Sequence, residues 1–199
     1  MGKIHLIRHG TTEANQAKKY YGKTDLPLAK EGINTISNLA ISGIYPKADG
    51  AYFYTTGLLR TEQTFFLIYG CKDHLEIPEL REYNFGAFEM KTHEELVEEE
   101  AYQAWINDKD GLTNCPRGES TTEFHNRVKQ GFSKILEDHS KAENHSRNSI
   151  IVCHGGVISF IMRSSFPTEE RDMFQWIPDP GRGFTLHLEE GTPISYEEI

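Results

Sequence analysis

Two histidines, each followed by glycine, are the residues of this 199-residue sequence best placed to do chemistry. His9, in Arg8-His9-Gly10, follows a short apolar run from Lys3 to Ile7. His154, in His154-Gly155-Gly156, follows a denser run from Ser149 to Cys153. Short apolar runs that end at glycine are typical of buried parallel strands. Because ligands of open α/β sheets bind beyond the carboxyl ends of strands, neighbouring strands would bring both histidines to one crevice.

The glycine after each histidine suits a site for an anion. Glycine lets the backbone turn sharply and bring N–H groups close to negative charge. A single histidine at a strand end is more often a structural residue that bonds a carbonyl group. Two His-Gly strand ends in one chain favour a functional crevice instead.

The elements that must position these histidines alternate between strand and helix. Ala51 to Tyr54 predicts a third strand. Apolar residues at helical spacing predict a helix over residues 29–42 and another from Leu58 to Tyr69, ended by Gly70. Residues 93–107 predict a further helix that is strongly acidic on one side.

The later part of the chain completes this pattern. Ser120 and Glu123 form a capping-box sequence that begins a helix with a long apolar stripe. Phe184 to Leu188 and Ile194 to Ile199 predict a terminal hairpin. The alternation indicates an α/β protein, a three-layer α/β/α sandwich with a mostly parallel sheet and helices on both faces. Residues 93–119 would be a helical insertion over the site.

The charge balance excludes some classes of partner. The chain has 21 Lys+Arg against 30 Asp+Glu, a net charge of −9 with histidine neutral. Nucleic acid and anionic membranes would be repelled, so neither is an expected partner. The same count argues globally against a phosphorylated substrate.

Cysteine usage and hydropathy predict the compartment. Cys71, Cys115 and Cys153 are far apart and form neither a disulfide scaffold nor a zinc motif, so no metal is expected. The N-terminal decapeptide lacks a signal-peptide core, and no stretch approaches the ~18 apolar residues of a membrane span. A cytoplasmic protein is expected.

Six blocks of residues follow one another in an order that spans most of the chain. They are Arg8 to Thr12 with Asn15, Tyr21 to Leu28 with Gly32, Thr55 to Thr64, Leu80 to Glu89, Pro116 to Ser120, and Val152 to Gly156. Together they resemble the histidine phosphatase superfamily in its phosphoglycerate-mutase-like branch. The resemblance implies one histidine-phosphatase-like domain over residues 1–199, in which residues 93–119 are the insertion.

The resemblance also implies a phosphohistidine mechanism. His9 would be the nucleophile that attacks phosphorus, so that one hard step is divided into two. Neutral imidazole is a good nucleophile near pH 7, and its second nitrogen can donate to a backbone carbonyl, which fixes the tautomer. Glu82 matches the proton donor to the leaving alkoxide, a role worth roughly 10²–10⁴-fold in rate. The same carboxylate could then deprotonate the attacking water.

The phosphate ligands follow from the same blocks. Arg8, Arg60 and His154 would hold the phosphoryl oxygens, the two arginines through planar forks of N–H donors. Asn15 and the backbone N–H groups of Gly10 and Gly155 would add neutral donors. Phosphoryl transfer needs mainly positioning and charge stabilisation, so these groups can replace Mg²⁺ and no cofactor is expected.

Three functions compete on this sequence. The leading one is a metal-independent phosphomonoesterase of the histidine acid type that acts on a small phosphorylated metabolite. A cofactor-dependent phosphoglycerate mutase would use the same site but keep its phosphoryl group from water. A non-catalytic binding module would have lost one of His9, Arg60, Glu82 or His154, and none is lost.

Family members that act on α-ribazole phosphate share the Tyr21 to Leu28 pattern, which makes that ester one candidate substrate. Four residues depart from the family pattern, namely Thr11, Thr55, Thr56 and Met90. Of these, Thr11 adjoins the nucleophile and could change substrate preference or mutase competence. A homodimer is compatible with the sequence.

Overall fold

A six-stranded sheet forms the centre of the molecule in the computed structural model, which describes residues 2–141 and 147–199. The strands are β1 (Lys3–Arg8), β2 (Tyr52–Thr55), β3 (Leu75–Glu76), β4 (Asn148–Cys153), β5 (Gly183–Glu189) and β6 (Thr192–Glu198). Their order is β3-β2-β4-β1-β5-β6. The first four in that order run parallel, whereas β5 pairs antiparallel with both β1 and β6. The sheet is therefore mixed, with the expected hairpin at one edge.

The helices lie between the strands in sequence. They are α1 (Glu13–Gln16), α2 (Lys30–Ile41), α3 (Leu59–Tyr69), α4 (His93–Leu96), α5 (Glu100–Ile106), α6 (Thr121–Ser140) and α7 (Gly155–Ser165). The Ser120–Glu123 capping box begins α6 as predicted, and Gly70, with a positive φ of 71°, ends α3. Two short 3₁₀ turns, Pro78–Leu80 and Gly86–Phe88, connect β3 to the α4 region.

Apolar side chains cover both faces of the sheet, which confirms the α/β fold. On one face, Ile4 and Leu6 of β1 belong to the large core that includes residues of α6 and α7. On the other face, Ile7 and Phe53 belong to a smaller core with Phe65 of α3, against which α2 packs. Alternate residues of β1 thus point to opposite layers, as the period of a strand requires.

The pairing of β1 with β4 decides where the histidines go. The two strands are parallel neighbours in a register that sets Arg8 opposite Cys153. The backbone N–H of His9 donates to the Cys153 carbonyl at 3.0 Å. His9 and His154 therefore leave the same edge of the sheet side by side.

The prediction of a single helix over residues 93–107 is wrong. The segment forms α4 and α5, separated by Glu99 in an extended conformation (φ −79°, ψ 123°). Leu96 and Tyr102 are both fully buried, at 0% exposure. In one continuous helix, residues six apart would point in directions about 120° apart, so the break is what lets both reach the core.

The α4–α5 segment packs against the residues that lead into the crevice. Trp105 contacts Tyr20, Tyr83 and Phe85 through ring edges and faces, and its indole N–H donates to the Tyr83 hydroxyl at 2.9 Å. The assignment of residues 93–119 as an insertion over the site stays a prediction. Within the described residues, no helix has both the length and the apolar character to cross a bilayer.

Candidate active site

His9 lies immediately after β1 and is buried, with 4% of its surface exposed. Its Nδ1 lies 2.7 Å from the Gly10 carbonyl oxygen. A carbonyl can only accept a hydrogen bond, so Nδ1 carries the proton and Nε2 keeps its lone pair. Burial, together with the charges of Arg60 and Arg8, lowers the pKa of His9 well below its usual value. His9 is therefore a neutral imidazole with a free lone pair on Nε2.

His154 stands beside His9 at the start of α7 and is fully buried. The two ring centroids are 5.2 Å apart, with the ring planes at 64°. His154 Nε2 lies 3.0 Å from the Thr56 hydroxyl, which adjoins the hydroxyl of Thr61. Burial, followed by the charge of Arg60, lowers the pKa of His154 well below its usual value. Two neutral imidazoles thus share a site whose positive charges come from Arg8 and Arg60.

Arg60 enters the site from α3 and is completely buried, at 0% exposure. Its two terminal nitrogens donate to the carbonyls of Thr24 at 3.0 Å and Gly22 at 2.8 Å. The guanidinium carbon lies 4.9 Å from the centroid of the Tyr21 ring. Contacts on two sides leave the guanidinium one orientation, which is what a fork for phosphoryl oxygens requires.

Arg8, the last residue of β1, is oriented by the segment between α7 and β5. Its Nη1 donates to the Pro178 carbonyl at 2.7 Å. A Cβ on Gly155 would lie 3.2 Å from the Arg8 Nε and 2.9 Å from Ile177. Glycine at position 155 therefore makes room for the guanidinium beside the first turn of α7.

Three buried nitrogens of these side chains have no hydrogen-bond partner among residues 2–141 and 147–199. They are Arg8 Nε, Arg60 Nε and His154 Nδ1. A buried polar group without a partner costs about 1–3 kcal/mol, so such groups are rare unless a ligand satisfies them. Arg8 and Arg60 carry positive charge beside His9 and His154. The arrangement fits a small anion.

Asn15 is held with its amide in a defined orientation. Its Oδ1 accepts hydrogen bonds from the Thr12 N–H at 3.0 Å and from the Tyr21 hydroxyl at 2.8 Å. The amide nitrogen is turned away from these donors and keeps its two hydrogens for another acceptor. The Gly10 N–H differs from expectation, since it donates to the Thr64 hydroxyl at 2.9 Å and so is not a free donor for phosphate.

Glu82 faces the crevice from a different part of the fold. It lies between the two 3₁₀ turns and is half-buried. Its Oε1 accepts from the Tyr83 N–H and its Oε2 from the Gly156 N–H, both at 2.9 Å. Gly156 is two residues after His154, so this hydrogen bond joins the Glu82 carboxylate to the first turn of α7, the helix that begins directly after His154.

Comparisons with known proteins show the family to which the chain belongs. The model of the histidine phosphatase superfamily (branch 1) matches residues 4–195. The chain belongs to the histidine phosphatase superfamily. It is accordingly an enzyme of a family that contains both phosphatases and mutases.

Individual relatives fall into both groups. The adenosylcobalamin/alpha-ribazole phosphatase of Escherichia coli is 31% identical over 186 residues, which cover 90% of this chain and 86% of the relative. The crystal structure of the alpha-ribazole phosphatase from Shigella flexneri matches with a TM-score of 0.81 at 28% identity, covering 96% and 92% of the two chains. That of the phosphoglycerate mutase from Thermus thermophilus matches with a TM-score of 0.72 at 27% identity, covering 98% and 97%.

The histidine phosphatase fold brings the predicted residues together from four separate parts of the chain. His9, Arg8, Arg60, His154 and Glu82 lie together at one site, with Asn15 and Gly155 beside them.

The structure also identifies residues that the sequence analysis missed as parts of the site. The Thr56 hydroxyl contacts His154. The Tyr21 side chain orients Asn15 and Arg60. The Thr64 hydroxyl accepts the hydrogen bond of the Gly10 N–H. Glu89 caps the loop that carries the Gly22 and Thr24 carbonyls by accepting from three successive N–H groups. Each lies in or beside a family block, but nothing in its residue type marked its role.

Proposed function

We propose that this enzyme is a metal-independent phosphomonoesterase that hydrolyses small organic phosphates through a phosphohistidine on His9. The observation that carries the proposal is the state of His9. Its Nδ1–H is engaged with the Gly10 carbonyl, and buried, unpartnered nitrogens of Arg8, Arg60 and His154 belong to the same site. A neutral nucleophile beside two arginines and a second imidazole fits in-line attack on a phosphate monoester.

In the first step, the His9 Nε2 lone pair forms a bond to phosphorus while the bond from phosphorus to the ester oxygen breaks. Glu82, protonated at that moment, transfers its proton to the leaving oxygen, which departs as an alcohol. In the second step, a water gives its proton back to the Glu82 carboxylate and its oxygen attacks phosphorus. The bond from phosphorus to His9 Nε2 breaks as it does so, inorganic phosphate leaves, and the electron pair returns to Nε2 of a neutral His9.

The substrate we propose is a small monophosphate that enters the crevice, with α-ribazole phosphate as the first to test. Its support is the likeness to two alpha-ribazole phosphatases over 90% and 96% of this chain. The arginines make the crevice locally positive, whereas the net charge of −9 disfavours nucleic acid and anionic membranes as partners. A phosphoglycerate mutase is the second candidate, supported by the likeness to the Thermus thermophilus enzyme.

The test compares wild type, His9→Ala and the control His187→Gln, a half-buried histidine on β5 away from the crevice. Turnover of p-nitrophenyl phosphate is measured with EDTA present, and an acid-labile phosphoprotein is looked for after rapid quenching. We expect wild type and His187→Gln to be active and to form the phosphoprotein, and His9→Ala to do neither. EDTA-sensitive turnover, or full activity of His9→Ala, contradicts the mechanism.

A substrate panel then separates the two candidate functions. It contains α-ribazole phosphate and 3-phosphoglycerate, with release of phosphate and isomerisation measured in parallel. We expect phosphate release to dominate. Isomerisation of 3-phosphoglycerate faster than phosphate release would make the protein a mutase.

A further inference from the structure

The segment that carries Glu82 lies outside the strands, so other groups must fix its position. It runs from the 3₁₀ turn Pro78–Leu80 to the 3₁₀ turn Gly86–Phe88 and presents several carbonyl groups away from the crevice. One side chain, Arg127 of α6, donates hydrogen bonds to these carbonyl groups. Its Nη1 donates to the carbonyls of Glu79 at 2.9 Å and Arg81 at 2.8 Å, and its Nη2 to the carbonyl of Glu82 itself at 3.3 Å.

Glu119 completes the contact. Its carboxylate pairs with Arg127 through Nη2 at 2.6 Å and Nε at 3.2 Å, and it also accepts from the Asn84 N–H at 2.7 Å. The Glu119 backbone adds two bonds, one from its N–H to the Asn84 carbonyl at 3.0 Å and one to its carbonyl from the Tyr83 hydroxyl at 2.8 Å. The Arg127–Glu119 pair therefore binds the backbone on both sides of Glu82.

We propose that Arg127 is a positioning residue for proton transfer, and that the Arg127–Glu119 pair holds Glu82 at the distance from the leaving oxygen that the reaction needs. This inference rests on the proposed function. A guanidinium has five N–H donors in a rigid fork, and here they serve three carbonyls and one carboxylate together. A lysine at position 127 has three rotatable donors on one atom and cannot reproduce that geometry.

Leaving-group dependence distinguishes this role from a general effect on folding. The leaving p-nitrophenolate is stable without a proton, whereas an alkoxide must be protonated as the bond breaks. A variant that displaces Glu82 should lose activity on an alkyl phosphate and keep most of its activity on p-nitrophenyl phosphate. The ratio of the two kcat/KM values is independent of the fraction of folded enzyme, so partial unfolding does not change it.

The experiment measures that ratio, with glycerol 1-phosphate as the alkyl ester, for wild type, Glu82→Gln, Arg127→Met, Arg127→Lys and Lys134→Met. Lys134 is the matched control, since it lies two turns further along α6 and contacts the same segment only through the Glu79 carboxylate at 2.5 Å. For Glu82→Gln and Arg127→Met we expect a loss of about 10²-fold on the alkyl ester and less than about 5-fold on the aryl ester. Arg127→Lys should be intermediate, and Lys134→Met should match wild type.

The outcomes separate the two levels of the proposal. If Glu82→Gln changes the ratio and both Arg127 variants keep it at the wild-type value, the positioning role is wrong and the proposed function stands. If Glu82→Gln itself leaves the ratio unchanged, Glu82 is not the proton donor, and the inference is overturned together with that part of the proposed function.

Discussion

The two sides of the crevice are built in different ways. His9 and His154 follow adjacent parallel strands, so the hydrogen bonds of the sheet fix their backbone. Glu82 lies on an irregular segment that side chains of α6 and the start of α7 hold in place. The comparison suggests that phosphate binding and proton transfer can be altered separately, because different contacts position the groups responsible.

The largest effect is expected on the phosphate side, from Arg60→Met. An arginine that stabilises a transferring phosphoryl group is worth about 10³–10⁵-fold in rate. Because the phosphoryl group is common to all substrates, the kcat/KM values for alkyl and aryl esters should fall by the same factor. Inhibition by inorganic phosphate should weaken in parallel. A loss confined to alkyl esters would show that Arg60 acts on the leaving group instead.

The neighbouring glycines 155 and 156 allow a direct comparison of the two sides. A Cβ at Gly156 would lie 2.5 Å from the Glu82 Oε1, whereas a Cβ at Gly155 would meet Ile177 and the Arg8 Nε. We expect Gly156→Ala to reduce turnover of alkyl phosphates by about 10²-fold while sparing p-nitrophenyl phosphate. Gly155→Ala should reduce turnover of both esters by a similar factor. Identical substrate profiles for the two variants would contradict the division into two sides.

A smaller effect is expected from Tyr21→Phe, which removes the hydroxyl group that donates to Asn15 Oδ1 and accepts from the Thr12 hydroxyl. A net loss of about 1.4 kcal/mol corresponds to about a 10-fold loss in kcat/KM, and it should be equal for alkyl and aryl esters. If the hydroxyl acts through Asn15, the same change in an Asn15→Ala background should cost little more. Additive losses in this double-mutant cycle would mean that Tyr21 contributes independently.

The smallest effect on activity at neutral pH is expected from substitution of His5, a residue of β1, the strand that leads to His9. This substitution tests the stability of the sheet. Its Nδ1 lies 2.9 Å from the Thr185 hydroxyl of β5. Burial, and then the charges of Lys3 and His187, lower the pKa of His5 from 6.5 to about 4. Between pH 6.5 and pH 4, His5 therefore binds a proton in the unfolded chain but not in the folded chain. The contribution of His5 to the free energy of unfolding is present above pH 6.5 and is lost as the pH falls towards 4.

The size of this loss is roughly 3 kcal/mol of unfolding free energy. The His5→Asn variant keeps a hydrogen-bonding group but does not titrate. Between pH 7 and pH 4 its free energy of unfolding should therefore fall by roughly 3 kcal/mol less than that of wild type. Urea unfolding at several pH values measures the difference, and the other buried histidines contribute equally to both proteins. Equal pH dependence in the two proteins would show that His5 is not the group responsible.

Much of the fold could be predicted from local patterns. The strands at β1 and β4, the helices α2 and α3, the capping box of α6 and the terminal hairpin all have apolar spacing or turn residues that act over a few positions. The break between α4 and α5 could not be predicted in this way. It depends on Leu96 and Tyr102 both reaching the core, which is a property of the packed structure rather than of the segment.

The site shows the same division. His9 and His154 could be predicted because the chain marks each of them with glycine at the end of an apolar run. Arg8, Arg60 and Glu82 were assigned through family resemblance, since neither an arginine nor a carboxylate in a loop is distinctive by itself. The Gly10 N–H was expected to serve phosphate, but it bonds Thr64, a residue 54 positions away that no local pattern connects to it.

By itself, the sequence determined the chemistry available to this protein, namely two His-Gly strand ends, the arginines and a carboxylate in a recognisable order. The tertiary structure decided what holds each group. The Gly10 carbonyl fixes the tautomer of His9, and Arg127 bonds the Glu82 segment to α6. The Arg127 hydrogen bonds, at 2.8–3.3 Å, join residues 45 to 48 positions apart in the chain, and only the packed fold brings those atoms within reach.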